Sequence, residues 1–113
     1  MMLKPIERDA LLLLGWLHLQ CGHAARARTL IEALLALEPA HVAARKILVV
    51  CLLHLEEGAA AERSCELLQR AQEQDPALWL CLSRAKQLQG QSEEARMIHE
   101  SFLVRRERHA IAY

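Results

Sequence analysis

The chain has 113 residues, of which 53% are hydrophobic and 4% aromatic, and its 14 Lys and Arg residues balance 14 Asp and Glu residues. This length suits one domain, and a chain without net charge has no long-range field to attract nucleic acid or an anionic membrane. The chain contains only four Gly and three Pro, and good helix formers such as Leu, Ala, Glu, Arg and Gln are common in it. An all-α protein follows, with no nucleic-acid partner and no membrane insertion.

The N-terminus and the cysteines predict a cytoplasmic protein with reduced thiols. Residues 1–9 carry acidic side chains and no small-residue cleavage site, unlike a secretory signal. The apolar run at 10–14 is too short to span a bilayer. No Cys-x-x-Cys pair and no zinc-ligand spacing occur among the cysteines and histidines. Since phosphate-loop and nucleophile motifs are missing too, we expect no metal, no cofactor and no enzyme.

Six helices are predicted, in chain order, at residues 8–21, 24–37, 42–56, 59–73, 77–89 and 92–107. The first pair carries a spaced set of residues: Leu11, Leu14, Gly15, His18, Gly22, Ala27, Ile31 and Pro39. This spacing follows the tetratricopeptide repeat (TPR) pattern W-x2-L-G-x2-Y, A-x3-F, P, which spans 34 residues. Small residues such as Gly15 and Ala27 let the two helices approach closely, and larger ones such as Leu14 and Ile31 are expected to fill the space beside them.

The second pair of helices follows the pattern less well. Leu48 and Val49 keep the register of the first pair, whereas Ser64 and Leu68 come three residues late. We interpret this as a three-residue insertion around 56–58 that lengthens the turn. Asp75 then suits an N-cap before the fifth helix.

The third pair restores the register. Ser83, Gly90 and Ala95 each lie 68 residues, or two repeats, after Gly15, Gly22 and Ala27. The sequence therefore predicts a single TPR domain over 1–113. Its three tandem helix–turn–helix repeats, at approximately 8–41, 42–75 and 76–109, would form a short right-handed solenoid. A generic antiparallel bundle is the alternative, although it would not explain the 34-residue register.

In a TPR array the first helix of each repeat lines a concave groove that can bind a partner. The residues expected to line this groove are Leu12, Trp16, Leu19, Gln20, Lys46, Val50, Leu53, His54, Leu80, Arg84 and Gln87. Most are apolar, which suits an amphipathic helix or an extended apolar segment. Trp16 is expected to contact a partner, with packing against an N-terminal segment as the alternative. Trp79 occupies a core position of the repeat.

Two stretches are more specific than the repeat pattern: Gly-Trp-Leu-His-Leu-Gln-Cys-Gly-His at 15–23 and Trp-Leu-Cys-Leu-Ser-Arg-Ala at 79–85. With the length of the chain, they resemble the small YscY-type chaperones of the Ysc-class type III secretion systems of Gram-negative bacteria. The resemblance covers most of the chain and is weakest at 42–73 and beyond 100.

The resemblance implies a chaperone in the bacterial cytoplasm that associates peripherally with the export apparatus. Its partners would be a small YscX-type export substrate and the cytosolic domain of the inner-membrane export gate. Two other functions stay open: a chaperone of another secretion component such as the needle subunit, and a self-associating TPR scaffold without an export client.

Overall fold

The structure is a computed structural model that describes residues 3–112, and over this range it consists of helices, turns and linkers without a strand. Met1, Met2 and Tyr113, which the predicted domain includes, lie outside the described residues. The helices are α1 (Pro5–Gln20), α2 (Ala24–Leu37), α3 (Val42–His54), α4 (Gly58–Arg70), α5 (Ala77–Leu88) and α6 (Ser92–Ala112). The predicted all-α class is confirmed. None of the described helices is long and apolar enough to cross a membrane.

Helix ends recur at a spacing of 34 residues. The odd-numbered helices end at Gln20, His54 and Leu88, and the even-numbered helices begin at Ala24, Gly58 and Ser92. Each odd helix is therefore joined to the next even helix by a turn of three residues. The three hairpins α1–α2, α3–α4 and α5–α6 have the same construction.

The predicted insertion near 56–58 is wrong, because the α3–α4 turn has the same length as the other two turns. The middle residue of each turn has a positive φ: 81° at Gly22, 59° at Glu56 and 78° at Gly90. The sequence pattern missed this turn because Glu56 occupies a position with left-handed backbone conformation, where glycine is the usual residue. The 34-residue register continues through Ala61 and Cys65, which are both buried, rather than restarting at Ser64.

The two helices of a hairpin approach closely at small residues. A Cβ atom added to Gly15 would lie 2.5 Å from Ile31 Cδ1, so only glycine fits at this point of contact. At the equivalent position of the third hairpin, Ser83 Oγ donates a hydrogen bond of 2.7 Å to the Ala95 carbonyl. Ala27 is fully buried in the same layer. The role predicted for these small residues is confirmed.

The helices form two rows. Each helix packs against the next in the chain, and α3 also packs against both α1 and α5. Within residues 3–112 the backbones of α2 and α4, and those of α4 and α6, do not approach each other closely. The odd helices therefore lie side by side in one row, and the even helices stand behind them.

Apolar side chains fill the space between successive hairpins in two clusters. The first contains Ile31, Leu34 and Leu35 of α2 with Ala44, Leu48 and Leu52 of α3. The second contains Cys65 and Leu68 of α4 with Leu78 and Leu82 of α5. Leu14, expected to fill the core like Leu82, is instead 47% exposed. The reason is its position: within residues 3–112, no helix packs on the side of α1 that the preceding hairpin covers in α3 and α5.

A polar network joins α4 to α5. Lys86 Nζ lies 3.0 Å from Glu62 Oε2, and Gln89 Nε2 donates a hydrogen bond of 2.7 Å to Glu62 Oε1. At the start of α5, Asp75 Oδ1 accepts a hydrogen bond of 3.0 Å from the Ala77 amide, but the N-cap residue of the helix is Pro76 rather than the predicted Asp75. The α5 helix therefore has both an apolar and a polar link to the preceding hairpin.

Candidate functional site

The row of odd helices carries the eleven residues predicted to bind a partner, and we call these eleven residues the inner face. The structure brings several of them together. Leu53, Arg84 and Gln87 line one cleft with Leu88 between α3 and α5. Together with Leu80, Arg84 and Gln87 also line a neighbouring cleft. This second cleft lies between α5 and α6. Arg84 and Gln87 therefore border two clefts, one between α3 and α5 and one between α5 and α6.

A third cavity, of about 170 Å³, lies between α3, α4 and α5. Val50 and Lys46 of the inner face line it together with Leu68, Leu78 and Cys81. Its walls are mainly apolar, and a cavity of this size can admit one large apolar side chain. Acidic residues of the α4–α5 linker, Glu73 and Asp75, stand at its edge.

Lys46 is already paired within the chain. Its Nζ lies 3.0 Å from Glu73 Oε1 and 3.5 Å from Asp75 Oδ2. Burial lowers the pKa of Lys46, but the hydrogen bond to Glu73 and the two negative charges outweigh this effect and raise the pKa above its usual value. The same hydrogen bond lowers the pKa of Glu73. Lys46 therefore stays charged while its charge is locally balanced, and it offers a partner mainly its aliphatic stem.

The remaining inner-face residues differ in exposure. Leu12 and Leu19 are half-buried, and Leu12 packs against the first apolar cluster. Gln20 and His54, at the ends of α1 and α3, are exposed. These four residues are not among those that line the three clefts described above. Their contact with a partner stays a prediction.

The two tryptophans lie in different environments. Trp16 is 45% exposed on α1. Trp79 is half-buried against the second apolar cluster, and the Arg105 guanidinium lies 3.9 Å from the centre of its ring. This cation–π contact fixes α6 across the side of α5. Trp79 thus has a structural role, whereas Trp16 keeps a large apolar surface open to a partner.

Sequence reasoning missed a second exposed apolar surface on α1. Ile6, Leu13, Leu14 and Leu17 are all exposed. Their spacing places them on one side of the helix. A signal for it was present in the repeat itself, because the first helix of a first repeat has no preceding hairpin to cover it.

Burial makes Cys51, Cys65 and Cys81 poor nucleophiles. Burial raises the pKa of Cys65 to about 12 and also raises the pKa values of Cys51 and Cys81. A raised pKa disfavours the thiolate, which is the reactive form. Cys51 and Cys65 are buried as expected for free thiols, whereas Cys21 is exposed.

Comparison with known proteins identifies the family. No protein-family profile matches the chain. A chaperone protein YscY from Yersinia enterocolitica and one from Yersinia pestis are each 42% identical to it over 97 residues, which cover 86% of this chain and 85% of the relative. The helical fold and its exposed apolar surfaces suit a chaperone, and the chain belongs to the type III secretion chaperones. Within that class it is a member of the YscY family, as the stretches at 15–23 and 79–85 indicated.

Proposed function

We propose that this chain is a three-repeat TPR chaperone that binds and stabilises a small YscX-type export substrate on its inner face. It would act in the bacterial cytoplasm and help to present the substrate to the cytosolic domain of the export gate. Membership of the YscY family supports a chaperone of type III secretion and a binding role rather than catalysis. The substrate and the gate are the expectations that the resemblance adds.

The repeat architecture supports the TPR part of this proposal. The 34-residue spacing of helix ends, the three equal turns and the side-by-side odd helices are what a TPR array requires. In such an array the concave surface is lined by the first helix of each repeat. The inner face of α1, α3 and α5 is therefore the surface on which a partner would lie.

The chemistry of the inner face carries the binding part. Trp16 is an exposed aromatic residue of the kind that dominates binding energy at interfaces. Leu12, Leu19, Val50, Leu53 and Leu80 are half-buried and extend the apolar surface along the row. Arg84 adds a charge at the shared cleft. An amphipathic helix with apolar anchors and acidic flanking residues is the partner that fits this surface.

The test is co-expression of the tagged chain with the YscX-type substrate in one culture and with the needle subunit in another. Size-exclusion chromatography with light scattering then measures the mass of each purified species. We expect a stable complex with the YscX-type substrate, whose melting temperature exceeds that of the isolated chain because binding favours the folded state. Recovery of the needle subunit instead, or of a monodisperse homo-oligomer without either protein, would contradict the proposal.

A further inference from the structure

One side of α1 is an apolar surface that nothing in the described chain covers. It is formed by six residues, which we call the N-terminal face: Ile6, Ala10, Leu13, Leu14, Leu17 and Cys21. All six are exposed, including Leu14 at 47% and Leu17 at 43%. Successive members are separated by one, three or four residues, which keeps them on one side of the helix.

Three of these six positions, those of Ala10, Leu14 and Leu17, are buried in the other two hairpins. Residues 34 positions after Ala10, Leu14 and Leu17 are Ala44, Leu48 and Cys51, and residues 68 positions after them are Leu78, Leu82 and Ala85. All six of these equivalents are buried. The centre of the N-terminal face, formed by Ala10, Leu14 and Leu17, is thus buried in the second and third hairpins and exposed in the first.

The fold also shows what covers this surface in the two buried cases. In α3 and in α5, the surface is covered by the helix that comes before it in the chain, α2 and α4 respectively. Ile31, Leu34 and Leu35 of α2 pack with Ala44 and Leu48 of α3. Cys65 and Leu68 of α4 pack with Leu78 and Leu82 of α5. The covering helix presents apolar side chains at positions i, i+3 and, in α2, i+4, the spacing of an amphipathic helix.

The last helix of a second copy would fit this surface poorly. By the 34-residue register, α6 places His99, Phe102 and Leu103 where α2 has Ile31, Leu34 and Leu35. His99 is exposed with its ring 5.8 Å from the Phe102 ring, and Arg106 lies 5.5 Å from Phe102 on the same helix. Burying this imidazole and guanidinium against leucines would cost their hydration. The two ends of the array therefore differ: the equivalent side of α6 combines the exposed Leu103 with an imidazole and a guanidinium group, whereas the N-terminal face is wholly apolar.

We propose that the N-terminal face is a docking site for an amphipathic helix of the bound partner, which takes the place against α1 that α2 takes against α3. The partner helix presents large aliphatic side chains with i, i+3, i+4 spacing to Leu14 and Leu17. Leu13 and Trp16 are three residues apart on α1 and so are neighbours on its surface. The docking site is therefore continuous with the inner face. The identity of the partner rests on the proposed function, whereas the chemistry of the docking site is argued independently of it.

The first test measures affinity for the co-expressed YscX-type substrate in the full-length Leu14→Glu/Leu17→Glu double variant. The matched control is Leu67→Glu, because Leu67 is 44% exposed on α4, away from both surfaces. We expect the double variant to keep its helicity and to lose at least about thirty-fold in affinity, since it sets two charges against apolar side chains. The control should bind like the wild type. Equal binding by the double variant would overturn the proposal. The proposal would also be overturned if the isolated wild-type chain formed a dimer and the double variant a monomer, because a second copy of the chain would then occupy the N-terminal face.

The second test needs no substrate and separates failure of this site from failure of the proposed function. In the test variant, a copy of residues 24–41, which contain α2 and its linker to α3, replaces residues 1–7. Residue 8 lies 34 positions before residue 42, the first residue of α3. The added helix is therefore joined to α1 in the same way as α2 is joined to α3. The control graft carries Leu34→Glu in the added copy. We expect the first graft to melt roughly 5 °C or more above the control. Equal melting temperatures would show that the N-terminal face does not accept a helix, and would overturn the proposal whatever the substrate proves to be.

Discussion

At the scale of single residues, the turn between α3 and α4 depends on Glu56 in a strained backbone conformation. Its φ of 59° lies in the left-handed region, where the equivalent residues of the other turns are Gly22 and Gly90. A residue with a Cβ costs roughly 1–2 kcal/mol in this region relative to the right-handed one. The exposed side chain of Glu56 makes no contact that argues for its retention on structural grounds.

Glu56→Gly is therefore expected to stabilise the protein. The relief of strain exceeds the extra backbone entropy of glycine, about 0.5–1 kcal/mol. A net gain of about 0.5–1 kcal/mol should raise the melting temperature by about 2–5 °C. Gly22→Ala is the matched opposite change and should lower it by a similar amount. Differential scanning calorimetry of both variants decides, and a destabilised Glu56→Gly would show that the turn does not need a positive φ.

Individual residues also show where sequence reasoning succeeds. The small residues Gly15, Ala27 and Ser83 could be assigned to the helix contact because the repeat requires close approach there. Leu14 could not be placed correctly by the same logic. Its side chain has the right chemistry for a core, but the burial of this position depends on the preceding hairpin, which the first repeat lacks.

At the scale of helices, α4 and α5 are held together by charge as well as by apolar packing. Hydrogen bonds from Gln89 and Lys86 lower the pKa of Glu62, and the bond to Glu62 raises the pKa of Lys86. The side chains of Glu62 and Lys86 are only 20% and 15% exposed, so solvent screens this pair less than a surface pair. The link is therefore expected to contribute measurably to stability.

This link predicts a pH-dependent loss of stability. Because the folded state lowers the pKa of Glu62, its contribution is complete above the ordinary value of 4.5 and is lost as the pH falls through the lower folded value. Glu62→Gln should cost about 1 kcal/mol of unfolding free energy at pH 7, and the difference from wild type should shrink at acidic pH. Urea unfolding across this range is the measurement. Glu93→Gln, which alters an exposed pair with Arg96, is the control and should change little. A pH-independent Glu62→Gln difference would mean that shape, not charge, matters here.

Helix order and most helix boundaries could be predicted from hydrophobic spacing and turn residues. The errors lie at the middle turn and at the ends of the array. The α1 helix begins at Pro5, three residues earlier than predicted, and α6 continues to Ala112, five residues later. The repeat pattern sets the inner ends of α1 and α6 at the hairpin turns, whereas their outer ends lie beyond the residues that the pattern specifies.

At the scale of the whole molecule, the array is asymmetric. Its inner face and the N-terminal face of α1 are apolar and open, whereas α6 presents His99 and Arg106 at the other end. An array with one apolar end open to water is expected to gain stability when a partner covers it. The fold class and the row of odd helices could be expected from the sequence. The division of the predicted site into separate clefts could not be expected from the sequence, because it depends on the distance between α3 and α5.

The central claim is that the inner face holds its apolar surface for a partner, and Trp16→Ala tests it most directly. Truncating an exposed tryptophan at an interface costs about 2–4 kcal/mol, so affinity for the YscX-type substrate should fall by roughly thirty-fold to a thousand-fold. Trp79→Ala is the matched control: it should lose stability, by about 3 kcal/mol, and keep its affinity per folded molecule. Helicity and titration calorimetry are measured for both variants beside the wild type. If Trp16→Ala instead loses helicity and keeps its affinity per folded molecule, Trp16 is a core residue and the substrate does not bind along the inner face.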